Sequence, residues 1–140
     1  MTSERVRLPL TFRIPIPGKN LGKRPSGSWR SQRQAWNDAK AYAYHTIRQR
    51  LMERGEWRDG YDPHPAVVCD IRWAYWHPSH RPDPDNGIIR TAAARDALQD
   101  IGIVADDAHI QIGRFETQQV RRGMEGVTIT IRELADVEAA

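Results

Sequence analysis

The chain has one cysteine, three lysines and no apolar run long enough to span a membrane. A single cysteine, Cys69, excludes an internal disulfide and a cysteine-rich zinc site, and its place among apolar residues predicts an inert core thiol. The opening MTSERVRLPL lacks the uninterrupted apolar segment of a signal peptide, so a cytoplasmic protein with no membrane contact is expected. Internal repeats and low-complexity blocks are missing too. At 140 residues the chain is long enough for one core and too short for two, which predicts a single domain over 1–140.

What is present is arginine. Beside three lysines stand 18 arginines, whose planar guanidinium groups bond phosphate in bidentate fashion. The charge is unevenly spread. Residues 1–58 carry 13 Lys and Arg against four acids, whereas residues 59–140 carry eight Arg against 14 acids. A basic half joined to an acidic half suits a protein that holds a polyanion and sets metal ions against it; a solvated, arginine-rich surface gives the same numbers.

The periodicities predict the order β-α-β-α-β-β. Val6–Ile16 alternates as an opening strand, and Pro17-Gly18 marks a turn into a flexible basic loop over about 18–30 that carries Lys19, Lys23, Arg24 and Arg30. Its GKNLGK is one residue short of a phosphate-binding loop and has no Ser or Thr after Lys23, which argues against a nucleotide cofactor. A helix capped near Ser31 runs to about Glu53 on the stripe Trp36, Ala39, Ala43, Ile47 and Leu51, with Arg33 and Lys40 off that stripe and available to phosphate or solvent. Ala66–Trp76 alternates as a strand, and His77 and His80 follow in a polar loop. A second helix, capped by Asp85 or Asn86, ends at Gly102. Strands then open at Ile110 and close over Val127–Ile131, joined by Arg121–Gly126 as a hairpin, and the acidic tail over about 133–140 frays. The class expected is α+β, a small mixed sheet of about four strands with two main helices.

The stretch Arg81–Asp107 holds six of the 18 acids: Asp83, Asp85, Asp96, Asp100, Asp106 and Asp107. Pro84 pushes Asp83 toward extended backbone, where Asp83 and Asp85 project together. Carboxylates so crowded suit Mg²⁺, with Mn²⁺ as a substitute, and at least one of Asp106 and Asp107 can complete a site after the helix. A cation held there lowers the pKa of bound water and neutralises a phosphodiester under attack. Each acidic piece alone also fits a helix cap or a turn.

DPDN, then ARDALQDIG, then VADDAHI resembles the RusA-type crossover-junction (Holliday junction) endodeoxyribonucleases, whose pattern is D-x-D-N, a lysine, D-A-L, a glycine and D-D-x-x-V. IPIPGKN and GVTITIRE are similar, more weakly, to the first and last parts of that family. The resemblance implies a homodimer making paired Mg²⁺-dependent nicks across four-way DNA, with catalytic aspartates at Asp83, Asp85 and Asp107 and Asp106 adjacent as a further metal ligand. The family lysine is missing. Its place falls on Ile89 counted from Asn86, or on Ala92 counted back from Asp96, because three extra residues separate Asn86 from D-A-L. Arg90 is the nearest cation, and either assists the transition state or pairs with an aspartate; its high pKa makes it a poor proton carrier. Lys19, Lys23, Arg24, Arg30, Arg33 and Lys40 are the expected DNA contacts. The alternatives are a junction-binding protein without catalysis, and a metal-dependent nuclease for other branched or duplex DNA.

Overall fold

The computed structural model describes residues 4–23 and 27–134. Four strands, β1 (Leu10–Ile14), β2 (Val67–Tyr75), β3 (Ile110–Gln119) and β4 (Gly126–Glu133), form one mixed sheet in the order β1-β4-β2-β3. Three α-helices, α1 (Trp29–Glu53), α2 (Pro84–Arg90) and α3 (Ala92–Ile101), complete an α+β architecture.

Period-two burial explains the layering. In β1, Leu10, Phe12 and Ile14 are buried while Thr11 and Arg13 are exposed. Val67, Cys69, Ile71 and Trp73 of β2 join Val127, Ile129 and Ile131 of β4 on the same face, and α1 covers it with Ala43, Ile47 and Leu51. From α3 come Ala94, Ala97, Leu98 and Ile101. Burial pushes the Cys69 thiol up to about 12, as expected of a core residue. The other face carries Asp70, whose carboxylate pairs with Arg132 of β4 and accepts the Arg114 N–H at 2.8 Å where β3 bulges. The Arg132 guanidinium foremost, despite partial burial, holds Asp70 below the usual carboxylate range.

Three expectations need correction. The hairpin between the last two strands does not form: β4 pairs antiparallel with β1 and β2, whereas β3 runs parallel to β2 at the sheet edge. Strand composition accounts for this. β4 is apolar enough for an interior position, while β3 (IQIGRFETQQ) is mostly polar and suits an edge. The connection after β3 therefore passes over the end of β2, tied there by the Val120 N–H to the Tyr75 carbonyl at 2.8 Å.

The second helix is broken into two at Thr91. The Ile88 carbonyl accepts from Thr91 N, Thr91 Oγ1 and Arg95 Nη2 at 3.1, 2.7 and 2.9 Å, three donors that hold a bend in place of regular helical bonding. The helix caps also shift. Ser28 caps α1 through Ser31 N, and Asp83 caps α2.

Candidate nucleic-acid cleft

Pro84 decides the geometry of the acidic motif. Proline is favoured at the first position of a helix, where its missing N–H costs nothing, so Asp83 becomes the cap, extended at φ −71° and ψ 154°. Its Oδ1 accepts the Asn86 N–H at 2.8 Å. Asp85 then falls inside the first helical turn, not two positions along an extended segment. The expected shared projection of Asp83 and Asp85 is thus replaced by two carboxylates at successive corners of a helix start.

Asn86 ties this helix start to the basic loop. Its Oδ1 accepts the Lys23 N–H at 2.9 Å, which brings Lys23 Nζ to 3.4 Å from Asp85. A side chain at Gly22 would place its Cβ 2.6 Å from the same Asn86 oxygen, so only glycine lets the loop come this close. Arg90, at the end of α2, donates through Nε to the Pro17 carbonyl at 3.1 Å, reinforced by Nη2, and lies 4.9 Å above the Trp73 ring. Burial holds its pKa below the ordinary guanidinium value. The loop is therefore pinned at both ends by the helix that carries the aspartates.

These elements enclose an open cleft of about 810 Å³. Lys19, Lys23, Arg81 and Arg90 supply its positive charge, and Trp73, Tyr75 and Trp76 its aromatic wall, with Asp83, Asn86 and Glu125 also in its lining. Sequence reasoning missed Arg81 and the aromatic residues, although Arg81 stands two residues before Asp83.

Asp106 and Asp107 lie elsewhere. Asp83 and Pro84 line a groove with Phe115 and Thr117, well along β3, whereas Asp107 begins the 3-10 turn Asp107–His109 that precedes β3. Asp106 caps that turn through Ala108 N at 2.8 Å, and Asp107 N donates to Gln99 Oε1 at 3.2 Å. The Ala108 N–H holds Asp106 low, and the hydrogen bond from Asp107 adds to this. That same bond pushes Asp107 above the usual carboxylate range. Among the described residues no three His, Cys, Asp or Glu side chains gather closely enough to hold one ion.

The fit to a divalent cation is accordingly partial. Mg²⁺ takes one or two carboxylates and keeps waters for substrate phosphate, and the exposed Asp83 and Asp85 provide that number. Asp107 does not join them.

The expected DNA contacts divide. Lys19 and Lys23 line the cleft, while Arg30 and Arg33 are exposed in the first turns of α1, with Arg33 5.2 Å over the Trp29 ring. Arg24 lies outside the described residues. Lys40 departs from expectation: its ammonium contacts Asp100 at 3.1 Å and Asp96 at 3.4 Å, and the Asp100 hydrogen bond raises its pKa. A second unforeseen cation is Arg95. Burial lowers its pKa, against the opposing pull of Cys69 and Asp107.

In comparisons with protein-family models and with curated proteins, no match was found.

Proposed function

We propose that the protein is a Mg²⁺-dependent, structure-selective DNA endonuclease of the RusA type. It nicks four-way junctions as a homodimer in cytoplasmic DNA recombination and repair. The observation that carries this reading is Asp83 in the lining of one cleft with Lys19, Lys23, Arg81 and Arg90, and Asp85 paired to Lys23. The cations hold the phosphodiester. Arg90, fixed by Pro17 and Trp73, serves as a phosphate clamp and not as a base. Asp83 and Asp85 offer hard oxygens to Mg²⁺ or Mn²⁺; Asp107, with Asp106 as its neighbour, is the third ligand that the resemblance implies, and it stands apart from them. When bound, the cation supplies a water of lowered pKa and neutralises charge on the attacked phosphate. A two-fold junction calls for two equivalent sites, which a homodimer provides.

One observation favours a second reading, a junction-binding protein without catalysis: Asp107 stands apart from Asp83 and Asp85, and no lysine follows Asn86. A synthetic four-way junction incubated with Mg²⁺, and in parallel with EDTA, separates the two, beside flap and plain duplex substrates. Paired nicks that require Mg²⁺ are expected on the junction, and binding without nicks supports the second reading. Asp83→Asn, Asp85→Asn and Asp107→Asn should each lower nicking by more than about 100-fold, beyond the range of a supporting residue, while junction binding persists. Unchanged nicking in all three defeats the site assignment.

A further inference from the structure

Trp76 is the residue that the nuclease reading leaves without a task. It stands one position past β2, and four neighbours frame its indole. The rings of His77 and His80 meet it edge-on at 5.4 and 5.6 Å, and the guanidinium of Arg122 lies 5.1 Å over it. The fourth is the cleft itself, whose lining includes Trp76 and His80. Arg122 reaches this position because the connection after β3 crosses over the end of β2. An indole that lines the cleft beside a cation and two imidazoles offers it a flat apolar surface.

Beyond it the same cleft carries Lys19, Lys23 and Arg81. Flat apolar surface beside fixed positive charge matches the two halves of a nucleotide, a base to stack and a phosphate to neutralise. The cleft volume of about 810 Å³ falls within the range of pockets that enclose small organic ligands, ~300–1,000 Å³. A paired base cannot use this platform, because its faces are covered by its neighbours in the duplex.

We infer that this cleft binds an unpaired nucleotide, its base stacked on Trp76 and its phosphate held by Lys19, Lys23 and Arg81. The inference rests on the nucleic-acid reading of the site. In branched DNA that base would be one freed from its partner where the arms meet. Stacking on an aromatic face tolerates any base, so little sequence preference follows at this position.

The test needs no cleavage. Binding of a short single-stranded oligonucleotide and of a blunt duplex is measured by fluorescence anisotropy in EDTA, for wild type, Trp76→Ala and Trp76→Phe. Thermal melts confirm that each variant is folded. Trp76→Ala should bind the single strand about 10-fold more weakly, the order expected when one base loses its aromatic partner. Trp76→Phe should recover most of that loss, and duplex binding should stay unchanged. Equal weakening toward both ligands overturns the proposal, as does single-strand binding unaffected by Trp76→Ala or absent in the wild type. Mg²⁺-dependent nicking of a four-way junction is scored separately. Single-strand binding without nicking defeats the nuclease reading alone, and nicking without Trp76-dependent binding defeats the cleft alone.

Discussion

Asp83 and Asp85 stand among cations, whereas Asp106 and Asp107 stand chiefly against each other. The first pair begins α2 and is bordered by Lys23, with Arg81 and Arg90 lining the same cleft. The second pair follows α3, and its members are adjacent carboxylates of which Asp106 holds Asp107 above the usual carboxylate range. Nearby Asp96 adds negative charge to that pair, although Lys40 answers Asp96 and Asp100 from α1. Two clusters that look alike in sequence therefore have different surroundings: one is bordered by cations, the other chiefly by further carboxylates.

A glycine at each end of the α2–α3 unit allows the comparison to be broken sterically. At the cleft end, a Cβ on Gly87 would stand 2.4 Å from Cζ of Phe115, a stiff ring packed against the core. At the other end, Gly102 caps α3 at φ +99° with no contact to a Cβ closer than 3.8 Å. Gly87→Ala should destabilise the fold by ~1–3 kcal/mol through overpacking, and should also impair nicking because α2 carries Asp83 and Asp85. Gly102→Ala should cost about 1 kcal/mol through the left-handed backbone alone, and leave nicking intact. Chemical denaturation with a parallel junction assay reads both, and equal effects of the two variants would remove the distinction between the ends.

The cations can be compared in the same way. Lys23 and Asp85 are 49% and 80% exposed, and such a surface pair contributes little, so Lys23 can move to a phosphate. Lys40 already answers two carboxylates. Lys23→Ala should therefore reduce the slope of log Kobs against log salt by about one for junction binding, and Lys40→Met should leave it unchanged. A lowered slope in Lys40→Met would restore that residue as a DNA contact.

Much of this arrangement is legible in the sequence because it is local. Alternation marks β1, β2 and β4, the apolar stripe marks α1, and Gly102 marks the end of α3, each from a pattern that one segment carries alone. The sheet order is not legible in that way. Arg121–Gly126 has the composition of a hairpin turn, and only competition between β3 and β4 for the interior position beside β2 sends it across the sheet. The same non-local event sets Arg122 on Trp76. The bend at Thr91 is hidden for a related reason: Thr91 is an ordinary helix residue until Arg95 reaches back to Ile88. Pro84 holds Asp83 extended, as its effect on the preceding residue predicts, but its preference for starting a helix governs Asp85.

The smallest predicted effect tests how far Asp106 acts on Asp107. In Asp107 the leading cause of the raised pKa is the hydrogen bond to Asp106, joined by partial desolvation and by the charges of Asp106 and Asp96. Asp106→Asn removes the carboxylate charge and leaves only an amide beside Asp107. The Asp107 titration should then move down toward the ordinary carboxylate range, as followed by carboxyl carbon chemical shifts between pH 2 and 7, pH values chosen to bracket about 3.9. The sign for stability follows. A carboxyl whose folded pKa lies above its unfolded value favours the folded state while protonated, and that contribution is lost as pH rises through the folded pKa. Any cation that takes the place of the proton must bind more weakly as pH falls through that same range. Addition of Mg²⁺ should therefore depress the Asp107 titration in the wild type and do so less in Asp106→Asn. If Mg²⁺ shifts Asp83 and Asp85 but leaves Asp107 untouched, the two acidic pairs belong to separate tasks, and the metal site of this chain is built from two carboxylates.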